Sequence, residues 1–297
     1  MRVLLTGATG FVGGAILEAL LGSGHDVIAP VRGAAARQAR PGVEYRELDY
    51  MQPPAPARVV DLVRGAEVMI NAVGIIRETT SATFKRLHTE TPLALFAAAQ
   101  SVGVSRIIQI SAAGTTSESR FEYFRSKADA DDFLLNKCSV PSVILRPSMV
   151  YGDRGEATAL FRQLAALPIV PLPAGGRFSF SPLLVEDLAQ LVLEAMEREP
   201  MPRGVIEVGG TDEMTLRDIL LSMRAAKKGG SSEIGLTFCI PKLLMKPAAW
   251  FGDLTGTGPL TSDMLEMLVT SEAPKLNQMR RSFRFCPRGL RSVLRGD

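Results

Sequence analysis

Through the first half of the chain, apolar runs of strand length alternate with longer stretches whose apolar positions repeat at helical period. Residues 2–6, 26–31, 43–48, 67–73, 106–111 and 142–145 read as strands. Residues 11–21, 82–102 and 120–136 read as helices, as does a segment that follows the Pro-rich stretch 52–57 and ends near Gly65. In the first helix Val12, Ile16, Ala19 and Leu20 share a face, and Gly22 and Gly24 end it. Strands this apolar need cover on both faces, and repeated strand–helix alternation gives a parallel, doubly wound sheet with right-handed crossovers.

After residue 150 the alternation fades. Residues 164–176, rich in Pro and Gly, read as a loop, 185–198 as a helix behind Pro182, and 205–208 as a short strand. Residues 215–225 read as a helix capped by Thr215, 227–232 as a linker, and the remainder as mainly helical. The expected architecture is α/β: a sheet domain over residues 1–150 and a smaller, mostly helical lobe over 151–297, with some elements returning to the sheet. Ligands of open α/β folds bind at the end of the sheet that such a lobe would face.

Composition bounds the functions. An apolar share of 46% with 22% charged residues is that of a globular protein. No run reaches the roughly 18 uncharged apolar residues of a membrane span; the nearest, 236–251, is broken by Lys242, Lys246 and two prolines. Residues 2–21 hold a glycine turn and no small-residue cleavage site, which argues against an export signal. Three scattered cysteines and two histidines exclude a disulfide framework and most metal sites, and fit a reducing cytoplasm. From Lys275 onward seven basic residues face only Asp297, so this segment carries +6 and the rest of the chain −3. It reads either as a solvated terminal helix or as a surface for an acidic protein or anionic lipid, peripheral to the inner membrane; no nucleic-acid motif accompanies it. His88 reads as packed or exposed rather than as a ligand, Met264 and Met267 as core, and Trp250 as cover for apolar surface.

The sharpest chemical signal is Thr6-Gly7-Ala8-Thr9-Gly10-Phe11-Val12-Gly13, directly between a strand and a helix. Gly7, Gly10 and Gly13 permit a tight turn, close approach to a pyrophosphate and close helix–strand packing, while Thr9, Phe11 and Val12 complete the loop and open the helix. This is the dinucleotide-binding loop of a Rossmann arrangement. A carboxylate at the end of the second strand would take the ribose 2′-OH of NAD(H); here that strand ends Pro30-Val31-Arg32, which favours NADP(H), with Arg37 assisting. Asp49 is placed for the adenine edge, and Ala72 and Gly74, in Asn71-Ala72-Val73-Gly74, let the chain pass under the adenosine ribose. Tyr123 and Lys127, four residues apart, share a helix face. A lysine so placed lowers a phenol's pKa and binds the nicotinamide ribose, and the tyrosine then exchanges a proton with a carbonyl/alcohol pair.

Together, the loop, the Asn71–Gly74 segment, Tyr123…Lys127 and Arg146-Pro-Ser-Met-Val-Tyr-Gly152 resemble the extended or atypical short-chain dehydrogenase/reductases over residues 1 to about 200. Gly74-Ile75-Ile76-Arg77-Glu78, Ser111-Ala-Ala-Gly114 and Ser181-Pro-Leu-Leu-Val-Glu-Asp187 are similar to proteins related to the nucleotide-binding accessory subunit of respiratory complex I. The resemblance implies that Pro147 and Ser148 lie by the nicotinamide carboxamide and that Met149–Gly152 opens a substrate lobe. Two departures stand out. Ala113 replaces a catalytic Ser or Thr, leaving carbonyl polarisation to Tyr123 unless Ser111, Thr115 or Thr116 reaches in, and Leu183-Leu184 replaces a common histidine. Three functions remain: an oxidoreductase on an apolar carbonyl or quinone-like substrate, a non-catalytic NADP(H)-bound accessory or assembly protein of a respiratory or quinone-synthesis complex, and a redox-sensing regulator. The few polar groups in residues 155–185 argue against a sugar-nucleotide pocket.

Overall fold

The computed structural model describes residues 1–52, 55–227, 236–241 and 262–295. Apart from Lys227, the expected linker at 227–232 lies outside them, as do Trp250 and the side chain of Met264. The chain forms two compact units. The first comprises Met1–Pro147, Val185–Val208 and Asn277–Phe285; the second comprises Ser148–Leu184, Gly209–Leu276 and Cys286–Asp297.

In the first unit β1 (Arg2–Thr6), β2 (Asp26–Val31), β3 (Val43–Glu47), β4 (Val68–Asn71), β5 (Arg106–Ile110), β6 (Ser142–Pro147) and the strand Gly204–Val208 make one parallel sheet. Its order is Gly204–Val208, β6, β5, β4, β1, β2, β3, which is the expected doubly wound topology. Val3, Leu4, Ile107 and Ile108 are wholly buried, as central strands covered on both faces require. Edge strand β3, by contrast, has no fully buried residue and carries charges, which discourages further pairing. On one face α2 (Pro56–Val63), α3 (Thr91–Ser101) and α4 (Glu122–Asn136) close a core built on Leu4, Ile28, Met69, Phe96 and Ile144. Helix α1 (Phe11–Gly22) packs with the helix Val185–Glu197.

The second unit is less helical than expected. Residues 164–176 are not a loop: the helix Glu156–Ala166 runs into them, and Val170–Pro173 pairs in parallel with Thr237–Ile240. Prolines that read as loop signals are tolerated because this ribbon has only two strands. Its core gathers Phe161, Phe178, Leu216, Ile219 and Leu290.

Two further expectations change. The single helix over 82–102 is instead a π-helical turn, Lys85–Glu90, followed by α3. The break falls where the Pro92 ring would collide with the carbonyl of His88 in a regular helix, and i→i+5 bonding relieves it. Nor is the basic terminus one solvated helix. It forms Asn277–Ser282 in the first unit and Leu290–Arg295 in the second, anchored there by the buried side chains Met279, Phe283 and Leu290. All seven of its basic side chains remain exposed.

A Cβ on Gly13 would stand 2.0 Å from the Gly7 carbonyl oxygen, whereas one on Gly22 meets nothing within 4 Å. Gly13→Ala is therefore expected to cost about 1–3 kcal/mol, read as an earlier urea midpoint. Gly22→Ala should leave the midpoint unchanged or raise stability by up to about 1 kcal/mol.

Candidate functional site

The β1–α1 loop is folded for an anion. Gly7 has a φ of +72°, and a Cβ there would fall 2.6 Å from the Ala72 carbonyl oxygen. The Gly10 N–H donates to the Gly7 carbonyl at 2.8 Å, closing the turn. Gly10 caps α1 without a side-chain hydrogen bond, and no acidic residue stands in the helix's first turn. The N–H groups of Phe11, Val12 and Gly13 thus lack a side-chain acceptor at the positive end of the helix dipole, while Thr9 and Gly10 are exposed. These residues fit a pyrophosphate. Beneath the loop a buried polar ladder crosses three strand ends: Thr6 Oγ1 donates to Asn71 Oδ1, and Asn71 Nδ2 donates to Gln109 Oε1 at 2.7 Å. Tyr50, whose hydroxyl donates to the Pro30 carbonyl, adds a phenol that burial pushes up against hydrogen bonding from Gly7 and Thr6.

At the other end of this edge, Arg32 and Arg37 are exposed and make no ion pair among the described residues. An acid is also present there, contrary to the reading of β2 alone. Glu47 lies opposite Val31 in the β2–β3 register and accepts the N–H groups of Gly33 (3.0 Å) and Ala34 (2.7 Å). These bonds hold its carboxyl below the usual range. Asp49 is half-buried and accepts the Met51 N–H at 3.0 Å, bracing its own turn.

Tyr123 and Lys127 stand on α4, with the Lys127 ammonium 5.8 Å from the Tyr123 ring centroid. Lys127 Nζ donates to the Ile110 carbonyl at 3.3 Å. Burial brings the ammonium down to about 8, opposed by Asp131 one turn along the helix. The same burial pushes the Tyr123 phenol up to about 12. The expectation that Lys127 would lower the phenol is corrected: with no hydrogen bond between them, desolvation outweighs the distant charge, and Tyr123 is a neutral phenol.

His88, read from the sequence as bland, is central here. Its Nε2 accepts the Ile75 N–H at 3.1 Å, and its Nδ1 lies 2.9 Å from Ser126 Oγ. The ring stacks on Phe84 and meets Tyr123 edge-on at 5.6 Å between centroids. A Cβ on Gly74 would lie 3.4 Å from Lys127 Nζ and 3.5 Å from His88 Nε2, so both groups converge on that peptide. Burial and the Lys127 charge drive the imidazole down to about 2.

The hydroxyls of Ser111, Thr115 and Thr116, the candidates to replace a Ser or Thr at Ala113, are engaged elsewhere. Ser111 Oγ donates to Asp131 Oδ2 at 2.8 Å and lies 3.3 Å from Thr115, while Thr116 accepts the Glu118 N–H. Arg146 also donates twice to Asp131 Oδ2, at 2.9 and 3.1 Å, and Asp131 Oδ1 is buried without a partner. Burial raises the Asp131 carboxyl despite these donors. The Ala113 N–H donates to Pro147, fixing the end of β6, and Ser148, in the second unit, accepts the Ser181 N–H at 3.1 Å. In that unit Leu183 and Leu184 are buried and pair with Val150 and Tyr151.

Residues 3–209, more than half of the chain, match the NAD dependent epimerase/dehydratase family. The chain belongs to this family. Among curated proteins it is 27% identical over 250 residues to the mitochondrial NADH dehydrogenase [ubiquinone] 1 alpha subcomplex subunit 9 of Arabidopsis thaliana, covering 81% of this chain and 61% of the plant protein. It is 31% identical over 174 residues to the ceramide reductase of Caulobacter vibrioides, covering 57% of this chain and 53% of that enzyme. The chain thus spans little more than half the length of these relatives. Among solved family folds, a nucleoside-diphosphate-sugar epimerase from Staphylococcus aureus superposes with a TM-score of 0.75 at 19% identity, covering 99% of this chain and 100% of that one. UDP-glucuronic acid 4-epimerase from Bacillus cereus in complex with NAD gives 0.72 at 16% identity, covering 99% and 94%. At these identities what is shared is the fold. Among the described residues no helix is long and apolar enough to cross a membrane.

Lys127 releases its proton near pH 8 in the folded chain but near 10.5 when unfolded. Between those values the unfolded chain holds more protons, so stability rises with pH. Urea midpoints taken from pH 7.5 to 10 should show this rise in the native chain, and Lys127→Met should flatten it and be the more stable of the two below pH 8.

Proposed function

We propose that the chain binds NADP(H) through the β1–α1 loop, Arg32, Asp49, Ala72, Gly74, Lys127, Pro147 and Ser148, and reduces an apolar carbonyl or quinone-like substrate. The observation that carries this reading is the convergence of Lys127 on the Gly74 peptide with the neutral Tyr123 phenol beside it. When bound, the reduced nicotinamide supplies hydride. Tyr123 supplies the proton: a phenol with a pKa of about 12 is protonated at any physiological pH and donates to the carbonyl oxygen as it gains negative charge. Lys127, cationic below about pH 8, stabilises the phenolate left behind. An apolar substrate accords with the likeness to a ceramide reductase. The exposed Arg32 supports the 2′-phosphate of NADP(H), although Glu47, committed to the loop main chain, brings a negative charge nearby.

A second reading, an NADP(H)-bound accessory protein peripheral to the inner membrane, is favoured by one specific feature. With Ala113 bare and Ser111 committed to Asp131, neither position supplies a second donor beside Tyr123, a loss that typically costs several kcal/mol of transition-state stabilisation. The likeness to a complex I subunit and the exposed basic side chains of 275–295 accord with a protein partner.

Stopped-flow oxidation of NADPH by long-chain ketones and quinones separates the readings, since bound NADPH that none of them oxidises supports the accessory role. For an enzyme, Tyr123→Phe should lower kcat at least about 100-fold while NADPH affinity stays within about twofold; unchanged turnover removes the tyrosine from the reaction. Arg32→Ala should weaken NADPH at least about tenfold and leave NADH unaffected, measured by fluorescence titration.

A further inference from the structure

We propose that His88 is a positioning residue of the nucleotide site: its two ring nitrogens bind the Ile75 main chain to helix α4 and so set Tyr123 and Lys127 against the nicotinamide end of the cofactor. This rests on the dinucleotide reading above and adds a residue that neither the glycine loop nor the Tyr–Lys pair requires.

The hydrogen-bond directions are fixed by chemistry. A backbone N–H can only donate, so His88 Nε2 is the acceptor towards Ile75 and the ring hydrogen resides on Nδ1. Nδ1–H therefore donates to Ser126 Oγ at 2.9 Å, and the Ser126 hydroxyl donates onward to the Tyr123 carbonyl at 3.1 Å. One continuous chain, Ile75 to His88 to Ser126 to Tyr123, joins the segment after β4 to the first turn of α4. Its members are held sideways as well, by the Phe84 ring stacked on the imidazole and by the Tyr123 ring edge.

At 2% exposure both ring nitrogens are satisfied, as burial of a polar ring requires, and the partners that satisfy them lie on two separate segments, the Ile75 main chain and α4. The π-helical turn Lys85–Glu90 carries the residue, an irregularity that recurs at functional sites. A Cβ at Gly74 would rest in van der Waals contact with both the Lys127 ammonium and the imidazole, at 3.4 and 3.5 Å, so the two groups flank that peptide. With its pKa near 2 the ring takes no second proton under physiological conditions, so it does not relay protons; it orients.

The test compares each dinucleotide with its truncated form. The full chain and its His88→Phe, His88→Gln and Ser126→Ala variants are titrated calorimetrically with NADPH and NADH, and with 2′-phospho-ADP and ADP, which lack both the nicotinamide and its ribose. His88→Phe keeps the ring stack but loses both hydrogen bonds; it should weaken the dinucleotide about tenfold and the truncated probe less than about twofold. His88→Gln, whose amide both accepts and donates, should restore most of the loss, and Ser126→Ala should fall between. Should His88→Phe fail to fold, the Gln and Ala variants carry the same comparison. Equal losses for both probes, or none for either, overturn the positioning role. If the unmodified chain binds no probe, the dinucleotide reading falls and this proposal with it; if it binds and the variants match it, this proposal alone falls.

Discussion

Gly13 lies so close to Gly7 that a methyl carbon on it would stand 2.0 Å from the Gly7 carbonyl oxygen. Only a chain with hydrogen at both positions can turn from β1 into α1 this tightly, and the rest of the site is arranged around that turn. It aims an uncapped helix terminus over the carboxyl edge of the sheet. It also brings Gly7 against the Ala72 main chain, so the loops after β1 and β4 run in contact. The Thr6–Asn71–Gln109 ladder then locks three neighbouring strand ends at one level, which positions Gly74 for Lys127 and His88.

Burial, more than pairing, decides the electrostatics above this edge. Lys127, Tyr123, His88 and Asp131 are all displaced towards their neutral forms, with desolvation the largest cause in each. Neutral phenol and neutral imidazole favour proton donation by the first and rigid orientation by the second. Arg146 and Ser111 converge on one oxygen of Asp131, which commits the Ser111 hydroxyl to that carboxylate. The buried ion cluster ties β5, α4 and β6 together at the cost of a donor elsewhere.

What the sequence made legible was whatever is local. Strand, glycine turn and helix lie within residues 2–22, and the Tyr123–Lys127 spacing is a single helical turn, so both could be read from order alone. Glu47 could not, because it reaches the Gly33 loop through the pairing of β2 with β3, and register is not written in either strand separately. His88 escaped for a related reason: four residues before Pro92 it looks like ordinary helix, and only the widened turn and the distant Ile75 and Ser126 give it a role. In the basic terminus the three apolar anchors lie four and seven residues apart, a helical spacing, so the segment reads as one helix although the chain forms two.

The polypeptide passes between its two units at five points, after Pro147, Leu184, Val208, Leu276 and Phe285. A chain ended near residue 150 would lose both the helix packed on α1 and the outermost strand of the large sheet. Neither half can therefore be traded as a block. Interleaving of this kind means that no single cut in the chain separates one unit from the other, so a stable fragment of either needs at least two chain ends rejoined.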